Sequence, residues 1–319
     1  MIQEESRISA KTNNEGRYSF ESLVKEAMNN DLYKLRSGKD VMHLPLFISL
    51  GESVVKGYKE FYDKYITLLE NKNVDKEAIM KVKTLCSGLQ KVVREYLRGN
   101  VSLSYNIFKK CILRDIPTLP FISITDRVFY RMRSESGLTD EKEFWHIPFD
   151  KTYLSKSERF SIAGYPILYL GCSKKVCEIE ISNGTLAKIS CVKTIDNVLD
   201  LTLGQGEGKR ILSDKDLITF YPLIASCYAV PFYNTHMEKE CKPNGVSFRE
   251  EYIIPQFLTI LMRNKYKANG IQYYSVKDPA LDPYGTGDND YRNVALYTSR
   301  VFGRSYDKAL MKKFVINIS

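Results

Sequence analysis

The stretch Arg159-Phe-Ser-Ile-Ala-Gly-Tyr-Pro-Ile-Leu-Tyr-Leu-Gly-Cys-Ser-Lys-Lys-Val-Cys-Glu-Ile-Glu180 joins a basic residue, a turn, an apolar run and two acids in one compact unit. Gly164 and Pro166 predict the turn, because glycine tolerates positive φ whereas proline fixes φ and lacks a backbone donor. The apolar run at 167–170 then predicts a short buried strand. The stretch therefore begins as a turn followed by a strand.

A helix is expected directly after this strand. Ser173 predicts its N-cap, and the residues that follow are compatible with a helix. The three elements would bring Arg159, Tyr169 and Glu180 within reach of one another. Taken alone, however, Glu178 and Glu180 are typical of solvent-facing helix residues, so the interpretation of this stretch as a site depends on the rest of the chain.

The first third of the chain has the apolar spacing of amphipathic helices. One helix is predicted around 54–69, a second from Asp75 to a stop at Gly99, and a third at about 104–113. Pro117 and Pro120 then interrupt the helical period and predict a boundary. We therefore expect an all-helical domain over 1–115.

Beyond this boundary the pattern changes to short β-rich runs separated by glycines and helical stretches. Strands are predicted at 127–132, 187–192, 198–201, 271–276 and 294–298, with helices near 212–228 and 249–265. Residues 116–319 are therefore expected to form an α+β domain.

The formal charge of the 319 residues is +9, but lysines and arginines are interleaved with acids in both halves. Without a basic stripe, this charge is a weak indication of nucleic-acid binding and suits an anionic ligand or an acidic partner equally well. The first 20 residues lack an apolar signal region, and no later run is long enough to span a bilayer. We expect a soluble, cytoplasmic protein without membrane contact.

The seven cysteines are scattered without a CxxC pair, which indicates reduced and mostly buried thiols. The three histidines form no metal-ligand spacing with them, so no metal is expected.

Several common site motifs are absent or incomplete. The glycines at 204, 206 and 208 before Lys209 are one residue short of a P-loop, and Arg210 stands where a Mg²⁺-binding Ser or Thr is needed. No GxGxxG supports a Rossmann dehydrogenase, and no GxSxG or adjacent His supports a serine or cysteine nucleophile. The acidic segment at 286–291 lacks EF-hand spacing and is expected to be a solvated loop.

Separate blocks beyond the boundary resemble the RES-domain family in type and order. They are Arg127-Val-Phe-Tyr-Arg-Met-Arg, Phe144-Trp-His-Ile-Pro-Phe, the stretch 159–180 quoted above, Gly270-Ile-Gln-Tyr-Tyr-Ser275 and Asn293-Val-Ala-Leu-Tyr. The family is named for its Arg, Glu and Ser motif residues and includes bacterial toxins that destroy NAD⁺, usually opposite a DNA-binding antitoxin. The resemblance covers about 120 to the C-terminus. It implies an ADP-ribosyltransferase-like α+β fold with a cleft between small sheets that holds NAD⁺ as substrate.

The resemblance also implies roles for particular residues. Arg131 would anchor the pyrophosphate, since its planar fork matches phosphate oxygens, although Arg133 on the same strand face is an alternative. Glu180 would stabilise the oxocarbenium-like charge on the ribose as nicotinamide leaves, with Glu178 as its rival.

Four further residues complete the expected cleft. Tyr169 would stack on a base, Ser275 would bond ribose or phosphate, and Arg159 would make a second phosphate contact, with Tyr130 beside Arg131 at the cleft wall. Many relatives have Asn after the aromatic residue that follows Arg159, whereas this chain has Ser161.

The resulting hypothesis is an NAD⁺-consuming toxin, either a glycohydrolase or a phosphorylase. Its implied partners are an antitoxin protein and further copies of the chain. One alternative is ADP-ribosyl transfer to a protein, which differs only in the acceptor. Another is a non-catalytic interaction module in which the helical domain is the functional part.

Overall fold

The computed structural model describes residues 52–202, 212–228, 248–276 and 291–318. The rejected P-loop candidate, nearly all of the acidic segment and the first 51 residues of the predicted helical domain lie outside these ranges. Within them, no helix is both long and apolar enough to cross a membrane.

Three helices open the described chain, as predicted: α1 (Glu52–Asn71), α2 (Lys76–Leu97) and α3 (Val101–Asp115). Asp75 caps α2 by accepting a hydrogen bond from the backbone N–H of Ala78. Gly99, at a φ of 85°, supplies the left-handed residue that ends it. The three helices therefore lie where the apolar periodicity and the capping residues predict them.

Eight strands follow, interspersed with shorter helices. The strands are β1 (Phe121–Ile124), β2 (Val128–Arg133), β3 (Ile167–Gly171), β4 (Thr185–Cys191), β5 (Ile195–Asp200), β6 (Gly270–Tyr274), β7 (Arg292–Tyr297) and β8 (Phe314–Ile318). The α-helices are α4 (Lys174–Glu180), α5 (Asp214–Cys227), α6 (Ile253–Leu261) and α7 (Lys308–Met311). The architecture is mixed α+β, as expected.

The described strands form one sheet in the order β1-β5-β6-β7-β3-β2-β4-β8. Only β5 and β6 pair in parallel; every other pairing is antiparallel. The family resemblance implied a cleft between small sheets, whereas these strands join a single sheet. An ADP-ribosyltransferase-like fold stays a prediction.

Two details differ from the predicted elements. The helix expected at 249–265 is divided into a 3₁₀ turn at Glu250–Tyr252, α6 and a π-helical turn at Met262–Tyr266. Strands β1 and β8 were not predicted at all. Further 3₁₀ turns occur at Glu141–Phe144 and Phe149–Leu154.

One hydrophobic core runs from the first helices to the sheet. Its buried side chains come from α1, α2, α3, α5, α6 and the inner face of β6 and β7. A second core lies on the opposite face of the sheet and includes Phe129, Trp145, Leu168 and Phe314. The predicted boundary near 115 coincides with the end of α3, and the first core continues across it. The division into two domains stays a prediction.

Three buried tyrosines of α1 join this helix to α5, and we call them the tyrosine seam: Tyr58, Tyr62 and Tyr65. Pro222 lies inside α5 and has no N–H, so the carbonyl of Ile218 lacks its usual helical donor. The Tyr65 hydroxyl donates to that carbonyl at 3.1 Å. The seam therefore satisfies a backbone group that the proline leaves without its normal partner.

Candidate functional site

A cavity of about 580 Å³ opens beside the carboxyl end of β3, within the size range of small-molecule sites. Its lining comes from β2, β3, α4, the 158–159 turn, the segment 249–252 and the ends of β6 and β7. Predicted residues that line it are Tyr130, Arg131, Arg159, Tyr169 and Glu180, together with the alternative Arg133. Ser275 contacts it through Glu180.

One row of paired residues crosses four strands at the floor of this cavity. Tyr130 pairs with Gly171, Gly171 with Asn293, and Asn293 with Tyr273. Side chains of directly paired residues point to the same face of a sheet. All four residues line the cavity. Strand register thus assembles the floor from segments that are far apart in sequence.

Gly171 allows α4 to lie close to this row. A Cβ at this position would come within 2.6 Å of Val176 Cγ1 and 2.7 Å of Cys177 Sγ. The helix is capped at its start by Ser173, whose hydroxyl accepts from the Val176 N–H at 3.1 Å, as predicted. The close approach and the cap together fix where the end of the helix, and therefore Glu180, lies.

The two rival acids of α4 have different surroundings. Glu178 is exposed, whereas Glu180 is half-buried and lines the cavity. The Ser275 hydroxyl donates to Glu180 Oε1 at 2.6 Å, and the Asn293 amide donates to the same oxygen at 3.4 Å. A charge-assisted hydrogen bond of this kind holds the carboxylate in one orientation. Ser275 is thus in contact with the carboxylate itself.

Arg131 lies where β2 and β3 diverge. The two strands pair only at Tyr130 and Gly171, and the guanidinium of Arg131 donates to the Tyr169 carbonyl at 3.2 Å. Burial lowers the pKa of Arg131 well below its usual range, and the neighbouring Arg133 cation adds to this effect. Among the described residues, no carboxylate is within ion-pair distance of either arginine.

Arg133 is tied to the protein more firmly than Arg131. Its guanidinium donates to the carbonyls of Glu143 and Trp145 at 2.6 and 3.0 Å. Burial also lowers its pKa, against the opposing effect of nearby acids. Both arginines line the cavity, but Arg131, with one carbonyl acceptor, has more donors available for a ligand.

Arg159, which also lines the cavity, is buried and held by α5. Its guanidinium donates to the carbonyl of Cys227, the last residue of that helix, at 2.7 Å. It also stands 5.1 Å from the ring centroid of Tyr252, and Arg249 stands 5.4 Å from the same ring. With four arginines and two glutamates in its lining, the cavity favours an anionic ligand.

The predicted tyrosines lie in the cavity wall. Tyr169 is half-buried, and burial raises the pKa of its hydroxyl. Tyr130 is also half-buried, with Lys174 Nζ 6.0 Å from its ring centroid. Both therefore present aromatic surface to a ligand.

Cys177 lines the cavity as well, yet its thiol is poorly suited to be a nucleophile. Burial raises its pKa to about 12, and the thiolate is the reactive form. In the described part of the chain, no group of His, Cys, Asp or Glu side chains has the arrangement of a metal site.

Sequence reasoning did not assign a role to several lining residues. Tyr252 and Arg249 belong to no recognisable sequence motif. The turn that precedes α6 brings them to the cavity, and their neighbours in sequence do not indicate that position. Asn293 gave a clearer signal, since it is a polar residue directly before the apolar run 294–297 of β7, and the residue is 6% exposed. A buried polar residue in a strand needs a partner, and here that partner is Glu180.

No family model and no solved structure matches the chain. A protein of Bacillus subtilis (strain 168) named "Putative toxin YopC" is 31% identical over 243 residues, which covers 69% of this chain and 54% of that protein. The chain thus spans about half the length of this curated relative. The chain is therefore similar in sequence to a protein named as a toxin.

Proposed function

We propose that the cavity binds NAD⁺ and that the chain cleaves its nicotinamide-ribose bond, acting as a toxin. The observation that carries this proposal is the carboxylate of Glu180, held by Ser275 at the wall of a cavity that also contains Arg131 and Arg159. Such an arrangement offers a fixed anion for a developing cation and separate cations for a pyrophosphate. The RES-domain resemblance and the similarity to the toxin point the same way.

In the proposed reaction, the C1′–N bond between the ribose and the nicotinamide of NAD⁺ breaks, and nicotinamide leaves with the electron pair. Positive charge then develops on the ribose C1′ and ring oxygen. The Glu180 carboxylate stabilises this charge, because the hydrogen bond from Ser275 has already oriented it. Water attacks C1′ and releases a proton to solvent, which completes hydrolysis, or a phosphate oxygen attacks C1′, which completes phosphorolysis.

The arginines bind and orient the dinucleotide in this proposal. Arg131 binds one phosphate, since anion binding would relieve the repulsion between it and Arg133. Arg159, the buried arginine held by α5, binds the other. Tyr169 and Tyr130 provide surface on which the flat nicotinamide ring or adenine packs.

The test is release of nicotinamide from NAD⁺ by the purified chain, with and without inorganic phosphate and with no protein acceptor. We expect release by the wild-type chain and a loss in Glu180→Ala and Arg131→Ala, with Glu178→Ala as matched control. Products distinguish the acceptor: ADP-ribose indicates water and ADP-ribose 1-phosphate indicates phosphate. A wild-type chain that releases no nicotinamide under either condition would contradict the proposal.

Toxicity is tested separately in growing bacteria. We expect expression of the wild-type chain to arrest growth and lower cellular NAD⁺, and Glu180→Ala to do neither. Arrest by Glu180→Ala equal to that by the wild type would show that toxicity does not depend on the cavity. An antitoxin would be identified as a protein whose coexpression restores growth.

A further inference from the structure

The residue that links the first helices to the cavity is Arg159. Its guanidinium is oriented by the carbonyl of Cys227, at the last residue of α5. A carbonyl at a helix end has no intrahelical donor, so it can accept from a side chain and direct it. The position of Arg159 in the cavity consequently depends on the position of this helix end.

Two seam tyrosines hold the same helix end. The Tyr58 hydroxyl donates to the Ser226 carbonyl at 3.2 Å. The Ser226 hydroxyl donates its one hydrogen to the Pro222 carbonyl at 2.6 Å. It therefore accepts in its 2.6 Å hydrogen bond with the Tyr62 hydroxyl, and Tyr62 is the donor. Ser226 immediately precedes Cys227, and both contacts therefore act on the last turn of α5.

The third seam tyrosine acts elsewhere on the helix. Tyr65 donates to Ile218 near the middle of α5, on the far side of Pro222 from Cys227. All three tyrosines are almost fully buried. Tyr65 therefore provides a matched comparison: a buried seam hydroxyl of the same kind that does not touch the turn holding Arg159.

Electrostatics are consistent with this connection. The Arg159 cation partly opposes the effect of burial, which raises the pKa of the Tyr58 hydroxyl. Arg159 and Tyr58 are thus close enough to influence each other, although they belong to segments on either side of the predicted domain boundary.

We infer that Tyr58 and Tyr62 of α1 are positioning residues for the cavity, because they hold the last turn of α5 where the Cys227 carbonyl directs Arg159 towards a bound phosphate. This inference rests on the proposed function for the role of Arg159. It gives the first helix a part in ligand binding, beyond the lining residues of the cavity itself.

The experiment measures binding of inorganic pyrophosphate by calorimetry and, for NAD⁺, KM and kcat of nicotinamide release. The variants are Tyr58→Phe, Tyr62→Phe and Tyr65→Phe, each also made in the Arg159→Ala background. We expect Tyr58→Phe and Tyr62→Phe to weaken pyrophosphate binding and raise KM by about three- to tenfold, the loss of about one hydrogen bond, with kcat changed less. Tyr65→Phe should leave the pyrophosphate dissociation constant and KM within about twofold of the wild-type values, although this variant also loses a buried hydrogen bond.

The double variants separate positioning from a general loss of packing. If Tyr58 acts through Arg159, Tyr58→Phe should have no further effect on binding once Arg159 is alanine. Equal weakening by all three tyrosine variants, or an undiminished Tyr58→Phe effect in the Arg159→Ala background, would overturn the inference. Failure of the wild-type chain to bind pyrophosphate would overturn it too. Pyrophosphate binding without nicotinamide release would contradict the proposed function alone.

Discussion

The tyrosine seam and the cavity both bury polar groups, but they do so in opposite ways. Each seam hydroxyl donates to an acceptor on α5, so the seam is satisfied within the protein. In the cavity, Arg131 and Arg133 lie together, and the described residues offer them carbonyls but no carboxylate. Polar groups that serve folding are paired internally, whereas like charges placed together are a mark of a binding site. Substitutions in the two regions should therefore affect different properties.

The largest effect is expected at Glu180. Removal of this carboxylate in Glu180→Ala should lower kcat for nicotinamide release by about 100- to 1,000-fold, since a preoriented charge opposite the developing cation is lost. The free energy of unfolding should fall by only about 1–2 kcal/mol, because the buried donors of Ser275 and Asn293 lose this acceptor, and urea denaturation would measure that cost. Glu178→Ala is the matched control and should retain activity within about twofold. Similar losses in the two variants would show that Glu180 has no special role.

Arg131→Met is expected to weaken NAD⁺ binding by about 10- to 100-fold, because a charge-assisted contact to phosphate is lost. Unlike a seam variant, it should not lower the free energy of unfolding by more than about 0.5 kcal/mol, since it removes one of two neighbouring buried cations. Isothermal calorimetry and urea denaturation measure the two quantities. A large loss of stability with unchanged NAD⁺ binding would show that Arg131 serves the stability of the fold and does not bind the ligand.

Tyr65→Phe should lower the free energy of unfolding by about 1–2 kcal/mol, because the Ile218 carbonyl loses the donor that replaces the missing N–H of Pro222. Its activity should stay close to that of the wild type. In the Pro222→Ala background, which restores a backbone donor, the same substitution should cost less. Urea unfolding of the four proteins measures the coupling, and purely additive costs would contradict the assigned role of Tyr65.

A smaller effect is expected on the pH dependence of the unfolding free energy, and it involves a residue outside the tyrosine seam and the cavity. His146 is buried; its Nδ1 bonds the Ile147 carbonyl at 2.8 Å, and its Nε2 accepts from the Asp307 N–H at 3.0 Å. Burial lowers its pKa in the folded chain. Because the unfolded chain binds the proton first, stability should fall as pH drops below about 6.5, and it should go on falling until the folded-state imidazole is protonated as well.

The control for this pH effect is His146→Gln, which removes the titrating group. The difference in unfolding free energy between wild type and variant should grow smaller as pH falls, and it should level off below the folded-state pKa. Parallel pH curves for the two proteins would mean that other groups cause the loss.

The smallest effect is expected for Cys177. With its pKa raised to about 12, this thiol should remain protonated near neutral pH, and iodoacetamide should leave nicotinamide release unchanged. Activity assayed before and after alkylation measures this. Rapid inactivation that Cys177→Ser prevents would show that the thiol is reactive.

Much of the fold could be predicted because its signals are local. The apolar period of α1 and α2, the Asp75 cap and the turn at Gly164, with a φ of 80°, all depend on neighbours in sequence. Strands β1 and β8 were missed because each is short and lies at an edge of the sheet, where pairing with a distant strand decides the structure.

The candidate site was predictable only in part, for the same physical reason. The family resemblance indicated Arg131, Glu180 and Ser275, and the structure brings these three around one cavity. It did not indicate that Ser275 contacts Glu180, since that hydrogen bond depends on the register of β6 with β7 and of β7 with β3. Tyr252 enters the cavity through the turn before α6, and no local pattern marks such a position.

The four-strand row beneath the cavity determines how the chain tolerates insertions and deletions. In a strand, a shift of one residue exchanges the two faces of the sheet. A single residue inserted or deleted within β7 would turn Asn293 or its successors towards the opposite core, and Glu180 would lose a donor without any substitution near it. Insertions and deletions should therefore be tolerated in the loops between these strands. Within each strand, the number of residues that precede the row should stay fixed.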